Sequence, residues 1–153
     1  MSASTHTIRR VNASDLNDLL GLMRAYCDFY TASPSDEDLL ALARALIGDH
    51  DREGVQLLAR DVEGHALAFA TVYWSWSTTS ACRIGVMNDL FVAQDARGQG
   101  LAEALIDACR TECTQHGGRK LTWQTAPDNL RAQAVYERVG ATAEHWVDYS
   151  LPS

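Results

Sequence analysis

A chain of 153 residues, 46% hydrophobic, has apolar material for one substantial core and too little for two independent ones, so a single domain over residues 1–153 is expected. Thirteen Lys and Arg against twenty Asp and Glu leave a formal charge of −7, which repels phosphate backbones and sets nucleic acid aside as a partner. Four cysteines without a CxxC pair, a start with no apolar signal core and no apolar run near the roughly 20 residues of a bilayer span point to a cytoplasmic protein with no membrane partner.

In chain order, residues 7–11 read as a strand. Leu16, Leu19, Leu20, Met23, Cys27 and Tyr30 then recur at helical spacing over about residues 15–30, with Ser14 as the expected cap. Ser35 followed by Asp38 makes a capping-box-like start for a second helix. The acidic run Asp36-Glu37-Asp38 suits its N-terminus, and Leu39, Leu42, Leu46 and Ile47 line one face up to Gly48. Strand-like runs near 55–61, 65–76 and 83–92 follow, the first two joined by a turn at Val62-Glu63-Gly64-His65, which predicts an antiparallel meander. Trp74 and Trp76 share one side of their strand, suited to packing beneath a helix or to lining a channel.

After Gly100, the residues Leu101, Leu105, Cys109 and Cys113 fall on one helical face that Gly117-Gly118 terminates. Cys109, Cys113 and His116 lie on neighbouring turns, but both cysteines belong to the apolar stripe, so no metal is expected. Residues 120–125 read as a strand, 129–139 as a helix closed by Gly140, and 142–151 as one or two last strands. This order predicts an α/β (α+β) fold: a mixed, mostly antiparallel central sheet of six to seven strands flanked by about four helices.

Between the strand ending at Val92 and the helix beginning near Leu101 lies a loop with Arg97, Gly98 and Gly100. Glycines let backbone N–H groups approach phosphate oxygens, a helix N-terminus adds partial positive charge, and an arginine adds a bidentate donor, so the segment suits a pyrophosphate. A dinucleotide site of the Rossmann type expects a longer glycine pattern and an acidic end to the next strand, where Gln124-Thr125 stand; a Walker loop expects a Gly-Lys pair that is absent.

Arg97-Gly98-Gln99-Gly100-Leu101-Ala102 resembles the pyrophosphate signature of the GNAT superfamily of N-acetyltransferases, Q/R-x-x-G-x-G/A, with Arg97, Gly100 and Ala102 at its three defining positions. The segment from Asn129 to Ala141, with Ala132, Tyr136 and Gly140, resembles the family's second signature, so the likeness runs over nearly the whole chain. It implies a GNAT-like sheet and acetyl-CoA as co-substrate. Backbone contacts from Leu90, Phe91 and Val92 would go to the pantetheine arm, a phosphate cradle would come from Arg97 to Ala102, and Asn129 and Ala132 would lie against the pantetheine arm or the adenine side. It also implies a homodimer with strands from the closing segment at the subunit interface.

Direct acetyl transfer to an amine needs a neutral nucleophile and a proton for the departing thiolate. The resemblance assigns the proton to the Tyr136 phenol. Asp89 shares a strand face with Met87 and Phe91, where burial would suit it to take the amine's proton; anchoring a substrate ammonium and a plain structural role are the other two readings. Asn88-Asp89-Leu90-Phe91-Val92 resembles the corresponding strand of spermidine/spermine N-acetyltransferases, although Asn88 replaces a glutamate there. Asn129, Ala132, Gln133 and Tyr136 with Trp123 resemble the histone-and-polyamine branch. Tyr26, Asp28, Phe29 and Tyr30 offer an aromatic-acidic mouth for a cationic acceptor, with ordinary core packing as the alternative. The expected acceptor is a small primary amine, the alternatives being a protein lysine or N-terminus, or a regulatory module that binds acyl-CoA without turnover.

Overall fold

The computed structural model describes residues 5–153. Strand β1 (His6–Arg10) leads through a single 3-10 turn (Ala13–Asp15) into helix α1 (Leu16–Phe29), then helix α2 (Asp36–Gly48). Strands β2 (Gly54–Asp61), β3 (Ala66–Ser77) and β4 (Cys82–Val92) follow, and after a second 3-10 turn come α3 (Leu101–Gln115), β5 (Gly118–Thr122) and α4 (Leu130–Arg138). The sheet runs in sequence order, antiparallel from β1 to β4 and parallel between β4 and β5. No helix of the described residues is long and apolar enough to cross a membrane.

Caps explain where the first two helices begin. Asn12, not the expected Ser14, starts the first turn: its side chain accepts from the Ser14 N–H while Asp15 accepts from the Asn12 N–H at 2.9 Å. Ser35 caps α2 as expected, accepting from the Asp38 N–H at 3.1 Å. The fully buried Asp15 also receives Arg60 at 2.8 Å and Arg9 at 3.1 Å, which ties α1 to β1 and β2.

Alternation along the strands builds two cores. Val55, Leu57, Ala68, Ala70 and Val72 pack against Leu101, Leu105, Ile106, Cys109 and Cys113 of α3, while Leu58 and Phe69 face Leu19, Leu22 and Met23 of α1 and Leu39 and Ala43 of α2. Trp74 packs as expected, donating its indole N–H to the His50 carbonyl at 2.8 Å and stacking on His116, whereas Trp76 is exposed beneath the Arg83 guanidinium.

Two expectations need correction. Residues 142–151 form no strand, so among the described residues the sheet has five strands where six to seven were expected. Side chains favourable to strands require a paired neighbour, and here Trp146, Val147, Tyr149 and Leu151 stand 77–93% exposed. Asp89 does not share a face with Met87. The β3–β4 register steps from Thr71↔Asp89 to Val72↔Met87, leaving Asn88 as the extra residue of a β-bulge, so Met87 joins the α3-side core while Asp89 and Phe91 turn toward α1.

Candidate active site

Pairing between β4 and β5 covers Arg83↔Gly118, Gly85↔Leu121 and Val86↔Thr122 and then stops. Beyond Val86 the strands part, and the edge of β4 from Met87 to Val92 has no strand partner on the β5 side. A cleft of about 580 Å³ opens there, within the range of small-molecule sites. Leu90, Phe91 and Val92 form one wall and Trp123, Gln124 and Thr125 the other, with the α3 N-terminus, α4 and the C-terminal end of α1 around them.

One end of the cleft is built by the turn into α3. Gly98 and Gly100 adopt φ of +79° and +76°, a left-handed conformation that costs a side-chain-bearing residue about 1–2 kcal/mol. A Cβ at either position would meet open space, so chain packing does not exclude a side chain there. Gly100 is the N-cap of α3 and supplies no side-chain cap. Among the described residues the N–H groups of Leu101 and Ala102 have no hydrogen-bond partner; the first helical bond runs from Ala104 to Gly100. These donors and the helix dipole make an anion site. Arg97 is exposed beside them, its Nε donating to the Val92 carbonyl at 3.2 Å and its guanidinium 6.0 Å above the Phe91 ring. Arg131 and Arg138 line the same cleft, Arg138 paired with Glu103 at 2.7 Å. A local excess of guanidinium in an acidic protein suits several phosphates. This fits the pyrophosphate of acetyl-CoA, with the open β4 edge available to an amide-bearing arm.

Tyr136 projects from α4 into the middle of the cleft, its ring edge-on to Trp123 at 5.3 Å. Burial raises its pKa above the usual 10, and interaction with Thr125 pulls it partly back, so the phenol stays protonated at neutral pH. Asn129 is at once a cleft residue and the cap of α4: its carbonyl oxygen accepts from the Ala132 N–H at 3.1 Å, leaving only the amide donor end and the Ala132 methyl for a ligand.

On the α1 side, Tyr26, Phe29 and Tyr30 wall the cleft through edge-to-face contacts at 5.0 and 5.1 Å, and the Tyr26 hydroxyl donates to the Asn88 carbonyl at 3.4 Å. Asn88 lines the cleft and donates its side-chain amide to Asp89 at 3.0 Å. Asp89 lies just behind this lining, where burial lifts its carboxyl above the ordinary range against the opposing pull of Thr71, Tyr26 and Asn88. The nearby carboxyl and burial together push the Tyr26 phenol well above its usual value.

Most of the expected site residues therefore converge: Leu90, Phe91, Val92, Arg97, Gly98, Gly100, Leu101, Ala102, Asn129, Ala132, Tyr136, Tyr26, Tyr30 and Asn88 line one cleft. Gln99, Asp28 and Asp89 do not: the first two are exposed outside the lining, and Asp89 lies behind it. Phe29, read from the sequence as part of the aromatic mouth, lines the cleft as well. Sequence reasoning missed Arg131 and Arg138, whose signal was a pair of cations on the helix that carries Tyr136.

The comparisons with known proteins agree with this geometry. A model of the acetyltransferase (GNAT) family matches residues 19–141. YhfO of Bacillus subtilis (strain 168), described as an uncharacterized N-acetyltransferase, is 32% identical over 133 residues that cover 87% of each chain. A solved structure of a probable acetyltransferase superposes with a TM-score of 0.83 at 27% identity, over 96% of this chain and 97% of its own. The aminoglycoside N-acetyltransferase AAC(6')-Iy, solved with the bisubstrate analog CoA-S-monomethyl-acetylneamine, shares the fold with a TM-score of 0.83 at 24% identity, over 98% of this chain and all of its own. With most of its length matched and the cleft in place, the chain belongs to the acetyltransferase (GNAT) family and is an N-acetyltransferase.

Proposed function

We propose that the protein transfers acetyl from acetyl-CoA to a small primary amine by direct attack within a ternary complex. The observation that carries this reading is the meeting, in one cleft, of the uncapped α3 N-terminus, the unpaired edge of β4 and the half-buried Tyr136 phenol. Acetyl-CoA supplies the activated thioester. The α3 amides, Arg97 and Arg131 hold its phosphates, and backbone groups at Leu90, Phe91 and Val92 hold the arm and the thioester carbonyl. The amine enters as an ammonium along Tyr26, Phe29 and Tyr30, whose ring faces attract a cation, loses one proton to solvent to become the neutral nucleophile, and surrenders a second to Asp89, directly or through water, as it attacks. As the new C–N bond forms and the C–S bond breaks, Tyr136 protonates the thiolate. Solvent then restores the Tyr136 proton and removes the one held by Asp89.

AAC(6')-Iy, with its aminoglycoside-derived analog, supports a small polyamine-like acceptor, while Asn88 in place of the polyamine-branch glutamate argues against spermidine or spermine themselves. The test is a panel of aminoglycosides, polyamines and peptides with acetyl-CoA, reading free thiol. Tyr136→Phe is expected to lower kcat by about 10²–10⁴-fold with little change in coenzyme A affinity. An unchanged rate refutes the acid assignment.

The protein further acts, in this reading, as a cytoplasmic homodimer. Cys27, Cys82, Cys109 and Cys113 are free thiols, which suits a reducing compartment. Residues 142–151 carry apolar side chains with high β-propensity beside the free outer edge of β5, tethered by Lys120–Glu144 at 3.5 Å and Gln124–Asp148 at 2.9 Å. A second copy of this chain would cover them. Light scattering should show a dimer that Trp146→Glu dissociates; a monomer at every concentration refutes it.

A further inference from the structure

On the face of the sheet turned toward α1, three neighbouring strands set three polar side chains in one register row: Gln56 of β2 opposite Thr71 of β3, and Thr71 opposite Asp89 of β4. The next row on that face is Leu58, Phe69 and Phe91, wholly apolar, so the sheet does not need polarity there to fold. Gln56 is 3% exposed and Thr71 fully buried; with Asp15 they are the only buried polar residues among those described, and Asp15 is answered by two arginines. Buried polar groups cost free energy unless they are paired, which makes this row a departure in want of a reason.

The direction of the hydrogen bonds supplies one. The Gln56 side chain donates its amide to the Thr71 hydroxyl oxygen at 3.1 Å, which occupies that oxygen as an acceptor and frees the Thr71 hydrogen. The Gln56 carbonyl oxygen is left as a buried atom with no partner. Turning the amide over would present an acceptor to Thr71 and draw its hydrogen away from Asp89. The observed orientation leaves the Gln56 side-chain carbonyl unsatisfied and the Thr71 hydrogen free for Asp89, its cross-strand neighbour. The groups acting on that carboxyl come from each neighbouring element: Tyr26 from α1, Thr71 on β3 and Asn88 on β4, while the pKa of Tyr73 on β3 is raised by burial first and by Asp89 second. Thr71 favours the anion against the burial that opposes it.

We propose that Gln56 and Thr71 are positioning residues for the transfer reaction: Gln56 orients the Thr71 hydroxyl, and Thr71 holds the Asp89 carboxylate in place to receive the proton of the acceptor amine. This rests on the reading of Asp89 as the proton acceptor. Neither residue lines the cleft, and both act on the substrate only through Asp89.

The experiment follows the titration of Asp89 by carbon-13 NMR of labelled aspartate carboxyls, assigned by loss of its signal in Asp89→Asn, beside the pH profile of kcat with the best amine of the panel. Thr71→Val, which keeps the shape and removes the hydroxyl, is expected to raise the Asp89 midpoint by about one to two pH units. The rise of kcat with pH should move by the same amount, with the KM for acetyl-CoA unchanged. Gln56→Glu, which turns the donor into an acceptor, is expected to move both in the same direction, and Thr71→Ser to restore the parental midpoint. A packing role alone would be satisfied by valine and weakened by serine. A parental midpoint in folded Thr71→Val and Gln56→Glu, with Asp89→Asn inactive, overturns this proposal and spares the assignment of the base. Full activity in Asp89→Asn sinks that assignment and the proposal with it.

Discussion

From β1 to β4 each strand has a hydrogen-bonded neighbour, and Leu57, Leu58, Ala59, Phe69 and Ala70 are at most 2% exposed, whereas β5 meets β4 at three register positions and α4 has no buried residue at all. The first region pairs each of its strands and closes its own core. The second leaves a strand edge and a helix N-terminus open around the cleft, where a ligand can supply the missing partners. The difference teaches that the binding site lies where the fold stops satisfying itself, and that its rigidity is borrowed from the half that does.

The largest expected effect breaks the first region. Phe69→Ala removes a ring buried between α1 and the sheet and should cost about 3–5 kcal/mol in urea unfolding. Next, coenzyme A at a hundredfold excess over its Kd should stabilise the protein by about 2.7 kcal/mol, visible as a raised Tm. Hydrogen-exchange protection should gather in β4, the α3 N-terminus and α4; protection spread evenly over β1–β3 would contradict the comparison. Gly100→Asp should remove this gain, because it sets a negative charge where the phosphates belong.

A third prediction concerns pH. The folded pKa of Asp15 lies below its ordinary value near 3.8, as backbone and arginine partners outweigh burial. Its contribution is therefore complete above the unfolded value and disappears as pH falls through the folded one. Asp15→Asn should cost about 1–3 kcal/mol at neutral pH and flatten the acid limb of the stability curve. The smallest effect belongs to the second region: Leu130→Ala, at a 71% exposed position of α4, should stay within about 0.5 kcal/mol of the parent.

Periodic segments were legible because a residue's neighbours a few positions away decide them. The apolar stripes of α1, α2 and α3 and the three central strands stand where their spacing placed them, within a residue or two. The glycine turn before α3 was legible for a related reason: the left-handed conformation at Gly98 and Gly100 and the helix start at Leu101 are local backbone events. The bulge at Asn88 was not, because it is a mismatch between two strands, and it alone turns Asp89 away from Met87 and toward Tyr26. Residues 142–151 failed for the same reason, since β-propensity offers a strand and only a partner makes one.

The chain by itself determined most of its elements, the glycine turn before α3 and the residue types offered to the cleft, since these depend on contacts within a few residues and on side-chain chemistry. Only the tertiary structure decided that β4 and β5 part after Val86, that Arg131 and Arg138 share a cleft with Arg97, and that Gln56, Thr71 and Asp89 stand in one row. Those facts belong to strand register and crossing, which are set by the packing of segments distant in sequence.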